Sequence, residues 1–212
     1  AQEEDEGVVA QEVFGDLDGV GDAARRVLLD VGDADAEAAA VAYRSGLEQV
    51  QAPELAIKLH SVLVAAGKAA EAERFAADWL KRHPQDLAFI SYQGDTALAR
   101  KDYAAAERSF LAVLQAQPEN AIALNNLALV SQHLNRSGAL GYAEKARTLA
   151  PNEPYVLDTL AAVLSAKGEH AKAIEVQLKA LELKPLDPLL KLNLAKIYIA
   201  AGDKTRAKNE LE

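Results

Sequence analysis

Four prolines, Pro84, Pro118, Pro151 and Pro185, stand 34, 33 and 34 residues apart, and each closes a segment of the same design. In the segment ending at Pro185, Leu157, Leu160, Ala161 and Leu164 come first, then Gly168, then Ala173 and Ala180. A fixed period in this range is the mark of a solenoid built from helix pairs. Large apolar residues at i, i+3 and i+7 put one stripe on the first helix of each pair. An alanine follows the central leucine where the two helices cross most closely. Glycine at the turn takes a left-handed conformation that carries a penalty for other residues. Proline then ends the second helix and starts the next unit. Each helix is about a dozen residues, marginal alone in water, so stability has to come from stacking on neighbours.

The regular part divides into five units. Residues 53–86 carry Ala56, Leu59, Leu63, Gly67, Ala72, Trp79 and Pro84. Residues 87–120 carry Ile90, Gly94, Ala97, Ala106, Phe110, Val113 and Pro118. Residues 121–153 are one residue short and place Asn135 near the turn, asparagine being the next most tolerant residue there. Residues 154–187 form the fourth unit, and residues 188–212 stop inside a second helix after Leu211. Before them, residues 19–52 read as a degenerate helix pair. Its stripe runs Val20, Ala24, Val27, Leu28 and Val31, then Ala38, Ala42 and Leu47 after a turn at Gly32–Asp33. Residues 1–18 are acidic and are expected to be disordered. Trp79 stands where the third and fourth units have alanine, and small Ala76 lies nearby. A volume-conserving swap explains both; a ligand-stacking tryptophan is the rival.

Charge separates these regions. Residues 1–52 hold 13 acidic and 3 basic residues of a chain whose net charge is −9, which leaves 19 and 20 for the units. A near-neutral array has no basic stripe for nucleic acid. No run of about 20 apolar residues is present, so no spanning helix is expected. No charged-then-apolar leader is present, so no signal peptide is expected in this stretch. There is no cysteine, which excludes disulfides and thiolate metal sites. There is no methionine either, not even at position 1, so the chain reads as a fragment or processed form.

Leu160-Ala161, Leu164, Gly168, Ala173, Ala180 and Pro185, echoed in four other units, resemble the tetratricopeptide repeat over about residues 53–212. The resemblance implies an all-α, right-handed superhelical solenoid of antiparallel helix pairs that works as a non-catalytic binding scaffold. AIALNNLALV at 121–130, LAPNEPYVLDTLAAVLSAKGEHAKAIE at 149–175 and LKLNLAKIYIAAGDKTRAKNELE at 190–212 also resemble the C-terminal part of the PEP-CTERM system repeat lipoproteins. That resemblance implies a lipid anchor outside this chain and a periplasmic or outer-membrane-associated place. It also implies a role in envelope protein sorting or exopolysaccharide export. A cytoplasmic location is the alternative.

In such arrays the first helices line the concave surface, through the residues between their core stripes. One row holds Ile57, Ser91, Asn125, Asp158 and Leu192; the next holds Lys58, Tyr92, Asn126, Thr159 and Asn193. One turn further lie Ser61, Asp95, Leu129, Ala162 and Lys196. The binding set drawn from these rows is Tyr92, Asp95, Asn125, Asn126, Leu129, Asp158, Asn193 and Lys196. An asparagine amide both donates to and accepts from a peptide backbone. Some relatives that bind extended chains use an asparagine ladder at the places of Asn126 and Asn193; here two of five units have it. A solvated polar face is the plainer alternative. The Lys and Asn clamp of the chaperone-tail-binding branch is absent, because Ile57, Ser61, Ser91 and Asp95 stand there. Tyr92 and Tyr155 suit stacking on sugar or peptide, or simply cover a neighbouring unit.

No catalytic or cofactor chemistry is readable. His60, His83, His133 and His170 are scattered without ligand spacing. Gly19-Val20-Gly21 lacks the strand context of a dinucleotide fingerprint. Asp16, Asp18 and Asp22 lack the closing glutamate of a calcium loop. The expected partner is a protein or peptide, with a glycan as an alternative. A structural spacer, or self-assembly through the uncapped C-terminal end, is the second class of function.

Overall fold

The computed structural model of the chain describes residues 33–210, with side chains from Ala36 onward. The acidic stretch 1–18, the first half of the 19–52 pair, the glycine and aspartate motifs within them, and Leu211 lie outside the described residues. Eleven helices and no strand are present among the described residues. The described residues divide into two compact units, residues 33–85 and residues 86–210. The first holds α1 (Asp33–Gln49), α2 (Pro53–Ala65) and α3 (Ala69–Arg82). The second holds four antiparallel pairs: α4 (Leu87–Ala99) with α5 (Tyr103–Ala116), α6 (Ala121–His133) with α7 (Ala139–Leu149), α8 (Pro154–Ala166) with α9 (His170–Leu183), and α10 (Pro188–Ala200) with α11 (Lys204–Asn209).

The prolines act at helix ends in two ways. A residue before proline is pushed out of the helical region. His83, Gln117, Ala150 and Lys184 accordingly end their helices with φ between −125° and −134° and ψ between 65° and 79°. Pro53, Pro154 and Pro188 open α2, α8 and α10, where a missing N–H leaves no bond unmade. Side chains of Asp86, Asp102, Asn120, Asp187 and Asp203 accept from the first-turn amides of α4, α5, α6, α10 and α11.

Every pair turns through one left-handed residue: Gly67, Lys101, Asn135, Gly168 and Gly202, with φ of 71°, 61°, 53°, 81° and 84°. The next amide then donates back to a carbonyl five residues earlier. These bonds are Lys68 to Leu63, Asp102 to Ala97, Arg136 to Ser131, Glu169 to Leu164 and Asp203 to Tyr198, at 2.7–3.0 Å. This closes the orphan carbonyls of each first helix. Lys101 departs from the expected glycine or asparagine, and its Cβ costs about 1–2 kcal/mol in this region.

In the first unit, α1 buries Ala36, Ala39, Ala40, Tyr43 and Leu47. Ala38 and Ala42, expected on its apolar stripe, are exposed. The buried set follows i, i+3, i+4, i+7 and i+11 around Tyr43, the largest apolar anchor available. Ion pairs Arg44–Glu71 and Lys68–Glu37 tie α1 to the start of α3. Trp79 is 1 % exposed and packs against the His83 ring, tilted by 32° with centroids 4.1 Å apart, so it fills core and presents no ring to a ligand.

In the second unit the crossing of each pair is set by matched volumes. Gly94 of α4 faces Phe110 of α5, which is fully buried; a Cβ at Gly94 would stand 2.8 Å from the Phe110 ring. In the following pairs the same two places are Ala128 with Ala143, then Ala161 with Gln177, all buried. The largest core cluster runs from Ala128 and Ala143 through Leu160 and Leu164 to Leu190 and Ile197, and so joins α6 to α10.

Candidate functional site

The first helices of the second unit, α4, α6, α8 and α10, pack side by side. Residues at helix positions two, five, six and nine of each share one face, because they lie three or four apart. All eight residues expected to bind are half-buried or exposed on this face, and six of them, Asp95, Asn125, Asn126, Asp158, Asn193 and Lys196, are joined by hydrogen bonds.

Two polar groups form. In one, Asn126 Nδ2 donates to Asp95 Oδ1 at 2.9 Å, and Asn125 Nδ2 donates to Asn126 Oδ1 at 3.3 Å. In the other, Asn193 Nδ2 donates to both oxygens of Asp158 at 3.0 and 2.9 Å. Lys196 Nζ donates to Asn193 Oδ1 at 3.0 Å. Each group links one first helix to another, α4 to α6 and α8 to α10. Leu129 is half-buried one turn beyond Asn125 and Asn126. Tyr92 is half-buried and packs against Phe89, with ring centroids 5.9 Å apart.

A residue that sequence reasoning passed over completes the second group. Gln177 of α9 is fully buried, and its Nε2 donates to Asp158 Oδ1 at 2.6 Å and to the Leu190 carbonyl at 3.0 Å. One amide therefore ties three helices. The signal was available: a glutamine stands where the other pairs carry alanine, phenylalanine or leucine.

Two residues expected on the face are not on it. Thr159 is buried, its hydroxyl donating to the Tyr155 carbonyl one turn back at 3.0 Å. Its short side chain satisfies its own polarity and fits between helices. Lys58 of the first unit is also buried, and burial holds its ammonium below the usual lysine range.

The carboxylates are electrostatically costly. Burial raises the pKa of Asp158, against the opposing pull of the Asn193 and Gln177 amides. Burial also raises Asp95, opposed by Asn126, although the residue as a whole is exposed. Protein walls around the carboxyl oxygens produce this without hiding the whole side chain. Tyr155 acts as a link between pairs: its hydroxyl donates to Asp187 Oδ2 at 2.8 Å, and Lys184 Nζ sits 4.7 Å above its ring. That bond holds Asp187 below, and Tyr155 above, their ordinary ranges.

Beside the polar groups runs a row of exposed apolar residues one position-set earlier: Ile122, Tyr155, Leu189 and, one turn on, Leu192. Among the described residues, no group of three or more His, Asp or Glu side chains is placed to hold a metal ion. No helix among them is long and apolar enough to cross a membrane.

Residues 155–185 match the family model of the tetratricopeptide repeat. The chain is similar in structure to a tetratricopeptide repeat protein from Parabacteroides merdae, with a TM-score of 0.72 and 17% identity over 84% of this chain and 72% of that one. The fold is that of a tetratricopeptide repeat array. Two further solved structures agree in fold. YrrB, described as having an unusual peptide-binding site, gives a TM-score of 0.60 at 20% identity, over 81% of this chain and 90% of that one. MamA from Desulfovibrio magneticus gives 0.63 at 21%, over 75% and 90%. Among curated proteins, a TPR repeat-containing protein of Pseudomonas aeruginosa is 30% identical over 165 residues. That match takes in 75% of this chain but spans only 27% of the relative's length.

Proposed function

We propose that this tetratricopeptide array is a non-catalytic scaffold that holds a protein or peptide segment on the first-helix face of residues 86–212. One observation carries the reading. Asp95, Asn125, Asn126, Asp158 and Asn193 lie on successive first helices of a single face, with amide groups positioned to meet an extended backbone. The peptide-binding site ascribed to YrrB, a protein of the same fold, supports the same use of such an array.

The resemblance of 121–130, 149–175 and 190–212 to the PEP-CTERM system repeat lipoproteins extends the proposal. The scaffold then works at the bacterial envelope, in protein sorting or exopolysaccharide export. The test is a triple substitution, Asn125→Ala, Asn126→Ala and Lys196→Ala, followed by pull-downs from an envelope extract. The captured set is expected to shrink; an unchanged set removes this face from the function.

A second reading, self-assembly, draws on the exposed Leu186 (86 %), Leu189 and Ile199 on and before α10. Light scattering over a concentration series separates the two. A strict monomer throughout leaves the scaffold reading alone.

A further inference from the structure

We infer that the segment held on this face is cationic and amphipathic: lysine or arginine side chains meet Asp95 and Asp158, and apolar side chains lie on Ile122, Tyr155, Leu189 and Leu192. This rests on the scaffold reading above and names the chemistry of its partner.

The two aspartates of this face have amide donors but, among the described residues, no cationic one. Asp95 and Asp158 accept hydrogen bonds from amides of Asn126, Asn193 and Gln177. Amides satisfy geometry but bring no positive charge. Neither aspartate forms an ion pair with a basic residue among those described. One amide that serves Asp158 and one that serves Asn126 are themselves short of donors. Gln177 Oε1 and Asn125 Oδ1 are buried and accept no hydrogen bond. Two partly enclosed carboxylates served by amides alone are complemented by a group that carries positive charge and only donates, and ammonium and guanidinium are such groups.

The local cations do not meet this demand. Lys196 attracts Asp158 at a distance, but its Nζ is bonded to Asn193 Oδ1. Lys184 sits over the Tyr155 ring, and Asp187, bonded to the Tyr155 hydroxyl, adds negative charge near Asp158. A partner anion would therefore face two carboxylates, and a partner cation would face surroundings that screen less than water.

The apolar half of the partner follows from register. Ile122, Tyr155 and Leu189 occupy the second position of α6, α8 and α10, one repeat apart, and are 67 %, 40 % and 49 % exposed. Leu192 adds the next turn of α10 on the same face. An extended chain rises about 3.3 Å per residue, so it crosses helices packed about 10 Å apart in about three residues. Apolar side chains recurring every third residue, with basic ones between, fit both rows.

The test uses three synthetic peptides of equal length and identical apolar residues, carrying Lys, Gln or Glu at the polar places. Each is labelled and titrated against the full chain by fluorescence anisotropy. The Lys peptide is expected to bind at least tenfold tighter than the Gln peptide, to weaken as salt rises, and the Glu peptide to bind weakest. Asp95→Asn with Asp158→Asn is expected to cut Lys-peptide binding about tenfold and leave the Gln peptide unchanged. Asp95→Asn alone, at an exposed residue, gives a partial loss even if the double variant folds poorly. Glu175→Gln with Glu182→Gln, exposed acids of α9, controls for the overall negative charge and is expected to change nothing.

If the Gln or Glu peptide binds as well as the Lys peptide, the cationic partner is wrong while the scaffold stands. If the α9 control loses as much as the aspartate variant, the attraction belongs to the whole chain and the inference falls. If no peptide binds, the scaffold reading fails and takes this one with it.

Discussion

The pair α4–α5 and the pair α8–α9 fold the same way and solve the same packing problem by opposite means. In the first, fully buried Phe110 fills the crossing by volume, and Gly94 withdraws its Cβ to admit the ring. In the second, Gln177 occupies the equivalent place, equally buried, against Ala161, and is held by hydrogen bonds to Asp158 and the Leu190 carbonyl. The pairs differ at the turn as well, Lys101 against Gly168. One repeat position thus tolerates a hydrocarbon plug or a polar bridge, provided the rest of the pair adjusts. The polar solution also reaches the exposed face, because the residue it anchors is Asp158.

The largest test of this contrast is truncation. Phe110→Ala leaves a ring-sized cavity and is expected to cost about 3–5 kcal/mol. Gln177→Ala leaves a partly buried carboxylate short of a donor and is expected to cost about 1–3 kcal/mol. Urea unfolding measures both. Equal losses would mean the two plugs do not differ in kind.

Next comes the glycine. Gly94→Ala is expected to destabilise by about 1–3 kcal/mol through overpacking against Phe110. Adding Phe110→Leu is expected to recover much of that loss, so the double-mutant cycle shows a coupling above about 0.5 kcal/mol. Strict additivity would break the volume argument.

The turns give a smaller effect of opposite signs. Lys101→Gly is expected to stabilise by up to about 1 kcal/mol, and Gly168→Ala to destabilise by about 1 kcal/mol. Melting temperatures of the two variants would decide this.

The smallest effect is a pH dependence. The pKa of Asp158 is raised by burial, so the folded state favours its protonated form. The cost of its charge is absent below the unfolded pKa, grows as pH rises toward the folded pKa, and is complete above it. Asp158→Asn is therefore expected to melt higher relative to the unaltered chain at pH 7 than at pH 3. A difference that does not change with pH would remove the electrostatic part of the contrast.

Much of this scaffold was legible in the sequence. Proline spacing marks where second helices end, because X-Pro geometry is local and unforgiving. Glycine marks three of five turns for the same reason. Lys101 gave no sign, since nothing in a lysine announces a left-handed backbone; only the period places it there. On the candidate face, Asp95, Asn126, Asp158 and Asn193 could all be read from helical spacing, and the structure adds that they pair, Asn126 with Asp95 and Asn193 with Asp158. Gln177 was legible only as a polar residue at a core place; its partners Asp158 and the Leu190 carbonyl lie on α8 and α10, outside its own helix. Ile122 and Leu189 were passed over because an apolar residue beside a core stripe reads as more core.

The third pair offers a practical opening. Its connection from Asn135 to Gly138 is exposed at every residue, and α7 begins at Ala139 without a side-chain cap. The third unit is already one residue shorter than its neighbours, yet keeps the left-handed turn and the bond from Arg136 to the Ser131 carbonyl. A fluorescent label or short tag inserted after Arg136 would ride on the molecule like a flag on a hinge pin, reporting partner capture while leaving the first-helix face untouched.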